Sequence, residues 1–364
     1  MKKHKDIIIA HCEKQARNFL IKIEKKEPLL ICTIGNTETA KIPEISAAGK
    51  YPEITDYTPA ADIELLFYGE CKCIDGVPAT PDGIPTPALI TRSALNLADI
   101  PVFAVSGGVK VKPYAPFIDL KGEPGGDIRT GKAVKNVEKV IRRAEIVGSN
   151  FSKIVDYLVV GESIPGGTTT ALGVLLAMGV DAKLKVSSSM PVNPHNLKIR
   201  VVEEGLKAAE INFGDLKSDP VKAIASVGDP IIAAFSGLVI GAASRIPVLM
   251  AGGTQMTAIL SVVRALKADV LGNVAIGTTR WIIQDENSDI RGIVSQIADV
   301  PILAANLNFS NSKIEGLKAY EKGVVKEGVG AGGISIATFL KTGGKVSSVA
   351  LLREIEKNYK KLIG

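Results

Sequence analysis

The chain has 364 residues, 46% of them hydrophobic, and a formal net charge of +6 from 44 basic and 38 acidic side chains. That length buries a large core, in one big domain with a smaller appendage or in two domains. No basic stripe interleaved with aromatics is present, which argues against nucleic-acid binding, while a mildly positive chain suits an anionic small substrate.

Only 5% of the residues are aromatic, so the core is built from Val, Ile, Leu and Ala, as parallel sheets buried on both faces require. The excess lysines cluster near the ends, at Lys2, Lys3 and Lys5, at Lys25 and Lys26, and at Lys360 and Lys361, and read as solvated faces. Cys12, Cys32, Cys71 and Cys73 have no zinc-like spacing, so they are read as reduced thiols and no metal site is expected. The apolar run Ile7–Ala10 is too short for a signal peptide, and a cytoplasmic protein is expected.

In chain order, the first strand falls at Leu29–Ile34. The Pro- and Gly-rich stretch Ala79–Pro87 is an ordered loop, followed by a strand at Val102–Val105 and a second such loop at Val111–Asp127. A helix at Lys132–Ile146 leads to a strand at Tyr157–Val160, a helix at Thr168–Met178, a strand at Lys183–Ser187 and a helix at Leu197–Ala209. Pro230–Ser244 is the most apolar stretch. As a helix it would rise ~23 Å, short of the ~30 Å of a bilayer core, and Arg245 follows at once, so it is a buried helix. Then come a strand at Val248–Met250, a helix at Thr254–Leu266, a strand at Asn273–Ile276, a helix at Ser288–Ala298 and a strand at Ile302–Ala305. Ser347–Ile363 closes the chain as an amphipathic helix carrying Leu351, Leu352, Ile355 and Leu362.

This alternation predicts an α/β fold, a Rossmann-like parallel sheet flanked by helices. Residues 30–340 form the large nucleotide-binding domain, and residues 1–29 with 341–364 a smaller helical portion. Ligands of such sheets bind beyond the carboxyl ends of the strands, so the turns there hold the chemistry.

Three of those turns are rich in glycine. Gly161-Glu162-Ser163-Ile164-Pro165-Gly166-Gly167-Thr168-Thr169-Thr170 leaves a strand and opens a helix, where free amides and hydroxyls suit a phosphate or carboxylate. The same residues also serve as an ordinary N-cap in a tight turn. It is neither a P-loop nor a G-x-G-x-x-G dinucleotide turn. Ala251-Gly252-Gly253-Thr254-Gln255 repeats the arrangement after another strand, and two such turns on one sheet edge make an anion pocket. In Lys326-Glu327-Gly328-Val329-Gly330-Ala331-Gly332-Gly333 a glutamate precedes an apolar helix, where cap and catalyst are equal readings of Glu327.

Taken together, these segments resemble the nicotinate-nucleotide–dimethylbenzimidazole phosphoribosyltransferase family of the cobalamin pathway. GESIPGGTTT is similar to its GEMGIGNTT-type turn, GDPIIAAFSGLVIGAASRIPVLMAGG to its glycine-led helix and following strand, and KEGVGA to its EGTGA segment. The three stand in the family's order over residues 155–337. Gly167 replaces the usual Asn, Asp229 and Pro230 replace a glycine and an aromatic, and Ala251 replaces the Asp that ends the strand. Residues 1–150 match poorly.

The resemblance implies transfer of the 5-phosphoribosyl group of nicotinate mononucleotide to a benzimidazole-type base, without a cofactor or metal, in a homodimer. It implies that Glu327 is the catalytic base and that Lys198, in His195–Val202, neutralises the phosphate. Gly166, Gly167, Thr168 and Thr169 would hold the nucleotide. Gly252, Gly253, Gly328 and Gly330 would shape the site, and Glu162 would orient a ribose hydroxyl or cap its turn. A transferase using the pyrophosphate-activated sugar is the nearest alternative, although it carries two adjacent acids before its loop where Gly161-Glu162 offers one. A non-catalytic nucleotide sensor is the other.

Overall fold

The computed structural model describes residues 5–48, 52–76, 78–80 and 82–363; Lys2 and Lys3 of the amino-terminal basic cluster lie outside them. Its strands are β1 (Ile7–His11), β2 (Pro28–Gly35), β3 (Val102–Gly108), β4 (Phe117–Asp119), β5 (Tyr157–Ser163), β6 (Val248–Ala251), β7 (Val274–Thr279) and β8 (Ile302–Ala305). They form one eight-stranded sheet in the order β1-β8-β7-β6-β5-β2-β3-β4. Seven strands run parallel and β1 pairs antiparallel with β8 at the edge.

Side chains alternate across this sheet with the period of two that a strand imposes. Leu29 and Ile31 of β2, with Leu158 and Val160 of β5, point into one core. Leu30, Cys32 and Ile34, with Tyr157 and Val159, point into the other. Helices Val137–Phe151, Gly167–Ala177, His195–Ala208, Pro230–Ala243 and Gln255–Lys267 cover the first face. Helices Glu13–Ile23, Thr58–Tyr68, Ala88–Ala98, Ala331–Lys341 and Ser348–Ile363 cover the second. The α/β architecture read from the sequence is thus the observed one.

The apolar helix Pro230–Ala243 lies wholly inside the molecule. Asp229 caps it by accepting from the amides of Ile231 and Ile232 at 2.8 and 3.0 Å, and Pro230 occupies its first turn, where no amide partner is lost. A methyl on Gly241 would stand 2.1 Å from the Glu145 carbonyl oxygen, so glycine sets how closely the helix meets Val137–Phe151. No helix among the described residues is long and apolar enough to cross a membrane.

The structure corrects the strand expected at Lys183–Ser187, which is a turn and a bend. Lys183 and Lys185 pair at the surface with Glu203 and Asp181, and Leu184 is exposed at φ 59°, so the alternating pattern marks a solvated turn. Two short strands escaped the pattern. Ile7–His11 is an edge strand with no turn signal before it, and Phe117–Asp119 lies inside the Pro- and Gly-rich stretch read as a loop.

The order of strands also places the site. From β2 the sheet runs outward to β3 and β4, and from β5 it runs the other way to β6, β7 and β8. Neighbouring β5 and β2 therefore mark the reversal point, where connections leave in opposite directions and open a crevice at the carboxyl ends.

Candidate active site

A cavity of about 1100 Å³ opens at that crevice. Glu162, Gly166, Gly167 and Thr168 line it from the turn after β5, Gly253 and Gln255 from the turn after β6, and Glu327 and Gly328 from the segment before helix Ala331–Lys341. These turns converge closely. A methyl on Gly253 would lie 3.5 Å from Ser187 Oγ and 3.9 Å from Glu327 Cβ, and one on Gly167 would lie 3.5 Å from Gln255 Oε1.

Gly166 takes φ 79° at the helix N-cap, a conformation that favours glycine, and leaves the first turn of helix Gly167–Ala177 facing the crevice. Four of the residues singled out from the sequence stand behind the wall. Thr169 is fully buried, its hydroxyl without a hydrogen-bond partner among the described residues. Gly252 packs on Met256, and Gly330 at φ 72° backs onto Gly161. Lys198 is also fully buried; its Nζ donates to the Ser187 carbonyl at 2.6 Å and to Asn193 Oδ1 at 3.2 Å. Burial, with Lys326 nearby, brings its pKa down to about 7.

Ser187, Ser188 and Ser189 form a polar wall of the cavity that sequence reasoning missed, having assigned Ser187 to a strand. Ser187 donates its amide to Thr254 Oγ1 at 2.9 Å, which fixes the serine loop to the second glycine turn. Behind it lies a buried ion pair, Lys326 Nζ to Asp285 Oδ2 at 2.9 Å. This side of the cavity combines serine hydroxyls, already bonded to Thr254, Met190 and Ala47, with helix-start amides and buried lysines, the features that hold anions.

The opposite side is acidic. Glu327 Oε1 accepts from the amides of Gly332 at 3.0 Å and Gly328 at 3.3 Å, which places the carboxylate on the N-terminus of helix Ala331–Lys341. Oε2 accepts from the Thr278 hydroxyl at 3.5 Å, and the Thr279 amide also stabilises the carboxylate. Burial pushes the Glu327 pKa up to about 7, against those stabilising donors. Glu162, 4% exposed, accepts from the Ile164 amide at 3.1 Å, and burial followed by the charges of Asp229 and Glu327 hold its carboxyl well above the usual range.

A third acid comes from helix Thr58–Tyr68, in the amino-terminal region. Asp62, 2% exposed, accepts from Ser163 Oγ at 2.7 Å and Thr86 Oγ1 at 2.8 Å, and burial raises its pKa to about 6. None of the three carboxylates has an ion-pair partner among the described residues. A signal for Asp62 was available: PAADIELLFY carries two acids, Asp62 and Glu64, in a run that is otherwise apolar, and acids are out of place in a helix packed on a sheet.

Glycine is required where Ala331–Lys341 meets β7. A methyl on Gly332 would lie 2.1 Å from the carbonyl carbon of Thr278, beside Glu327. Gly332→Ala is expected to destabilise the fold by ~1–3 kcal/mol, read by urea unfolding; an unchanged midpoint would show that the helix can slide without cost.

A crevice at the reversal point of a parallel sheet, with hydroxyls and helix-start amides facing carboxylates, is the site of an α/β protein suited to a small polar ligand. Residues 86–280 match the model of a family described as phosphoribosyltransferase, more than half the chain, and the protein belongs to that family. Among its relatives are a UPF0284 protein of Sulfurisphaera tokodaii, 47% identical over 93% of this chain and 95% of its own, and one of Methanothermobacter thermautotrophicus, 46% identical over 89% and 90%. Two solved structures from Thermus thermophilus share the fold at 14% identity. One is described as CobT, with a TM-score of 0.60 over 92% of this chain and 89% of that one. The other is described as a nicotinate-nucleotide-dimethylbenzimidazole phosphoribosyltransferase, with a TM-score of 0.55 over 91% and 92%.

Proposed function

We propose that this protein moves the 5-phosphoribosyl group of nicotinate mononucleotide to a benzimidazole-type nitrogen base, releasing nicotinate and giving an α-ribazole phosphate. The observation that carries the reading is Glu327: a buried carboxylate with one oxygen pinned by two amides, the other in a long contact with the Thr278 hydroxyl, and a pKa of about 7. Those are the properties of a base that takes a proton near neutral pH.

In this reading the nucleotide's phosphate lies against the serine loop and the Gly166–Thr168 turn, with Lys198 supporting that wall through the Ser187 carbonyl. The pyridinium nitrogen leaves with the electron pair of its bond to C1′ and becomes neutral, so it needs no acid. Positive charge develops on the ribose, where the carboxylates of Glu162 and Asp62 provide a field of the right sign. The unprotonated ring nitrogen of the acceptor donates its lone pair to C1′ from the opposite face, and the proton on its other ring nitrogen passes to Glu327. Both substrates must be present together, and a cavity of about 1100 Å³ has room for them. The homodimer implied by the family resemblance and the cytoplasmic location expected from the cysteines and the short apolar run Ile7–Ala10 belong to the same proposal.

The test is a metal-free assay of nicotinate release from nicotinate mononucleotide with a panel of benzimidazoles and purines. Release that requires an acceptor base is the expected result. A strict magnesium requirement with the pyrophosphate-activated sugar would replace this reading by the alternative transferase. Nucleotide binding without release for any base would reduce the protein to a sensor.

A further inference from the structure

The segment that carries Glu327 is bent through a backbone that its side chains disfavour. Val325, Lys326 and Val329 have φ of 64°, 32° and 53°, and Gly328 and Gly330 have φ of 152° and 72°. Left-handed conformations are costly for β-branched valine, and persist only where the surroundings over-determine them. Here the surroundings are specific hydrogen bonds. Val329 donates its amide to the Glu162 carbonyl at 2.9 Å and accepts from Thr91 Oγ1 at 2.8 Å. On the other side of Glu327, Thr279 Oγ1 donates to the Lys326 carbonyl at 2.6 Å.

Thr91 is a fully buried residue of helix Ala88–Ala98, and no part of the reading above uses it. Its hydroxyl donates across 238 positions of sequence to the strained loop. The same end of that helix presses on the loop a second time, since a methyl on Gly328 would lie 3.2 Å from Pro87. The amino-terminal region therefore acts on the base through a rigid element at two adjacent residues.

We propose that Thr91 is a positioning residue: its hydroxyl bond to the Val329 carbonyl holds the left-handed segment of residues 325–330 in the one conformation that presents Glu327 to the acceptor base. The inference rests on the transferase reading for its kinetic consequence and on the backbone geometry alone for its structural one. Thr91→Val keeps the shape and removes the donor, leaving the Val329 carbonyl without its hydroxyl partner. Thr91→Ser keeps the donor.

The experiment combines hydrogen exchange of the segment of residues 325–330 with steady-state kinetics, using the full-length protein. In Thr91→Val, exchange in that segment rises and kcat falls on the order of 10²-fold, the loss that a base displaced by about 1 Å produces, while KM for the nucleotide stays within about twofold. Thr91→Ser returns both to near the wild type. Unchanged exchange in Thr91→Val overturns the proposal whatever the activity, and so does a Thr91→Ser variant as impaired as Thr91→Val, because packing and not the hydroxyl would then matter. Wild-type kcat in Thr91→Val with raised exchange overturns the positioning role. A wild-type protein with no transfer activity, but with the exchange pattern predicted for both variants, leaves the hold in place and removes the transferase reading.

Discussion

Glu327→Gln is expected to cut acceptor-dependent nicotinate release by ~10²–10⁴-fold while leaving nucleotide binding intact. Glutamine keeps the volume, and its amide oxygen can accept from Gly328 and Gly332 as the carboxylate does. Its amide nitrogen can donate to the Thr278 hydroxyl, which turns to accept. What disappears is the capacity to take a proton. The loss should fall on kcat, because proton removal belongs to the transition state and not to the ground-state complex. In the wild type, activity should drop as pH falls through about 7, where Glu327 protonates; in the variant the residual rate should lose that limb. A variant retaining more than about a tenth of wild-type kcat would assign the base elsewhere, with Glu162 the next candidate in the cavity. Equilibrium binding of nicotinate mononucleotide separates this result from a damaged site.

How much of this was legible in the sequence follows from which forces are local. The alternation of apolar runs with helical patterns predicted the parallel sheet, because strand and helix periods are properties of consecutive residues. The glycine turns at Gly161–Thr170 and Ala251–Gln255 were visible for the same reason, as was Glu327 in its glycine frame. The strand expected at Lys183–Ser187 failed because alternation cannot distinguish a half-buried strand from a turn whose lysines pair at the surface. The serine wall was lost with it.

Thr91 was invisible in the sequence, and Asp62 was legible only as an acid in a mostly apolar helix. Both act across long stretches of chain, Asp62 on Ser163 and Thr91 on Val329, and neither sits in a motif. The poor match of residues 1–150 to the resembled family left open whether they build part of the site. In the structure Asp62, Thr86 and Pro87 line the cavity, so the wall is there although its residues differ. Lys198 shows the converse. The sequence singled out its position, but could not show that the ammonium is buried behind Ser187 and bound to a carbonyl instead of lying open to the crevice.

The unpaired acids make a second large prediction, about stability. For the ligand-free protein, the free energy of unfolding should rise by ~2–4 kcal/mol between pH 7 and pH 5, against the usual course of acid destabilisation. Folding raises the pKa of Asp62 from 3.8 to about 6 and of Glu327 from 4.5 to about 7; burial also raises Glu162 and Asp229. A group whose folded pKa lies above its unfolded one stabilises most below the unfolded value, and that stability is lost as pH rises through the folded value. For these acids the window runs from about 4 to about 7. Two groups work the other way. Lys198, brought down to about 7, is already half protonated at the window's upper edge, and His195 is lowered by burial. Carboxylates held low by their partners, such as Asp119 and Asp181, lose their contribution only as pH falls through their depressed values, below the window. The four buried acids therefore dominate between pH 5 and 7. Urea unfolding at the two pH values measures the effect, and Asp62→Asn should remove ~1 kcal/mol of it, because asparagine can accept one hydroxyl and has no proton to gain. A nucleotide whose pyridinium binds the same acids should flatten the dependence further, by favouring their ionised forms. Stability that falls from pH 7 to pH 5 in the wild type would show that the acids are already compensated, and would take away the electrostatic case for a cationic group in this cavity.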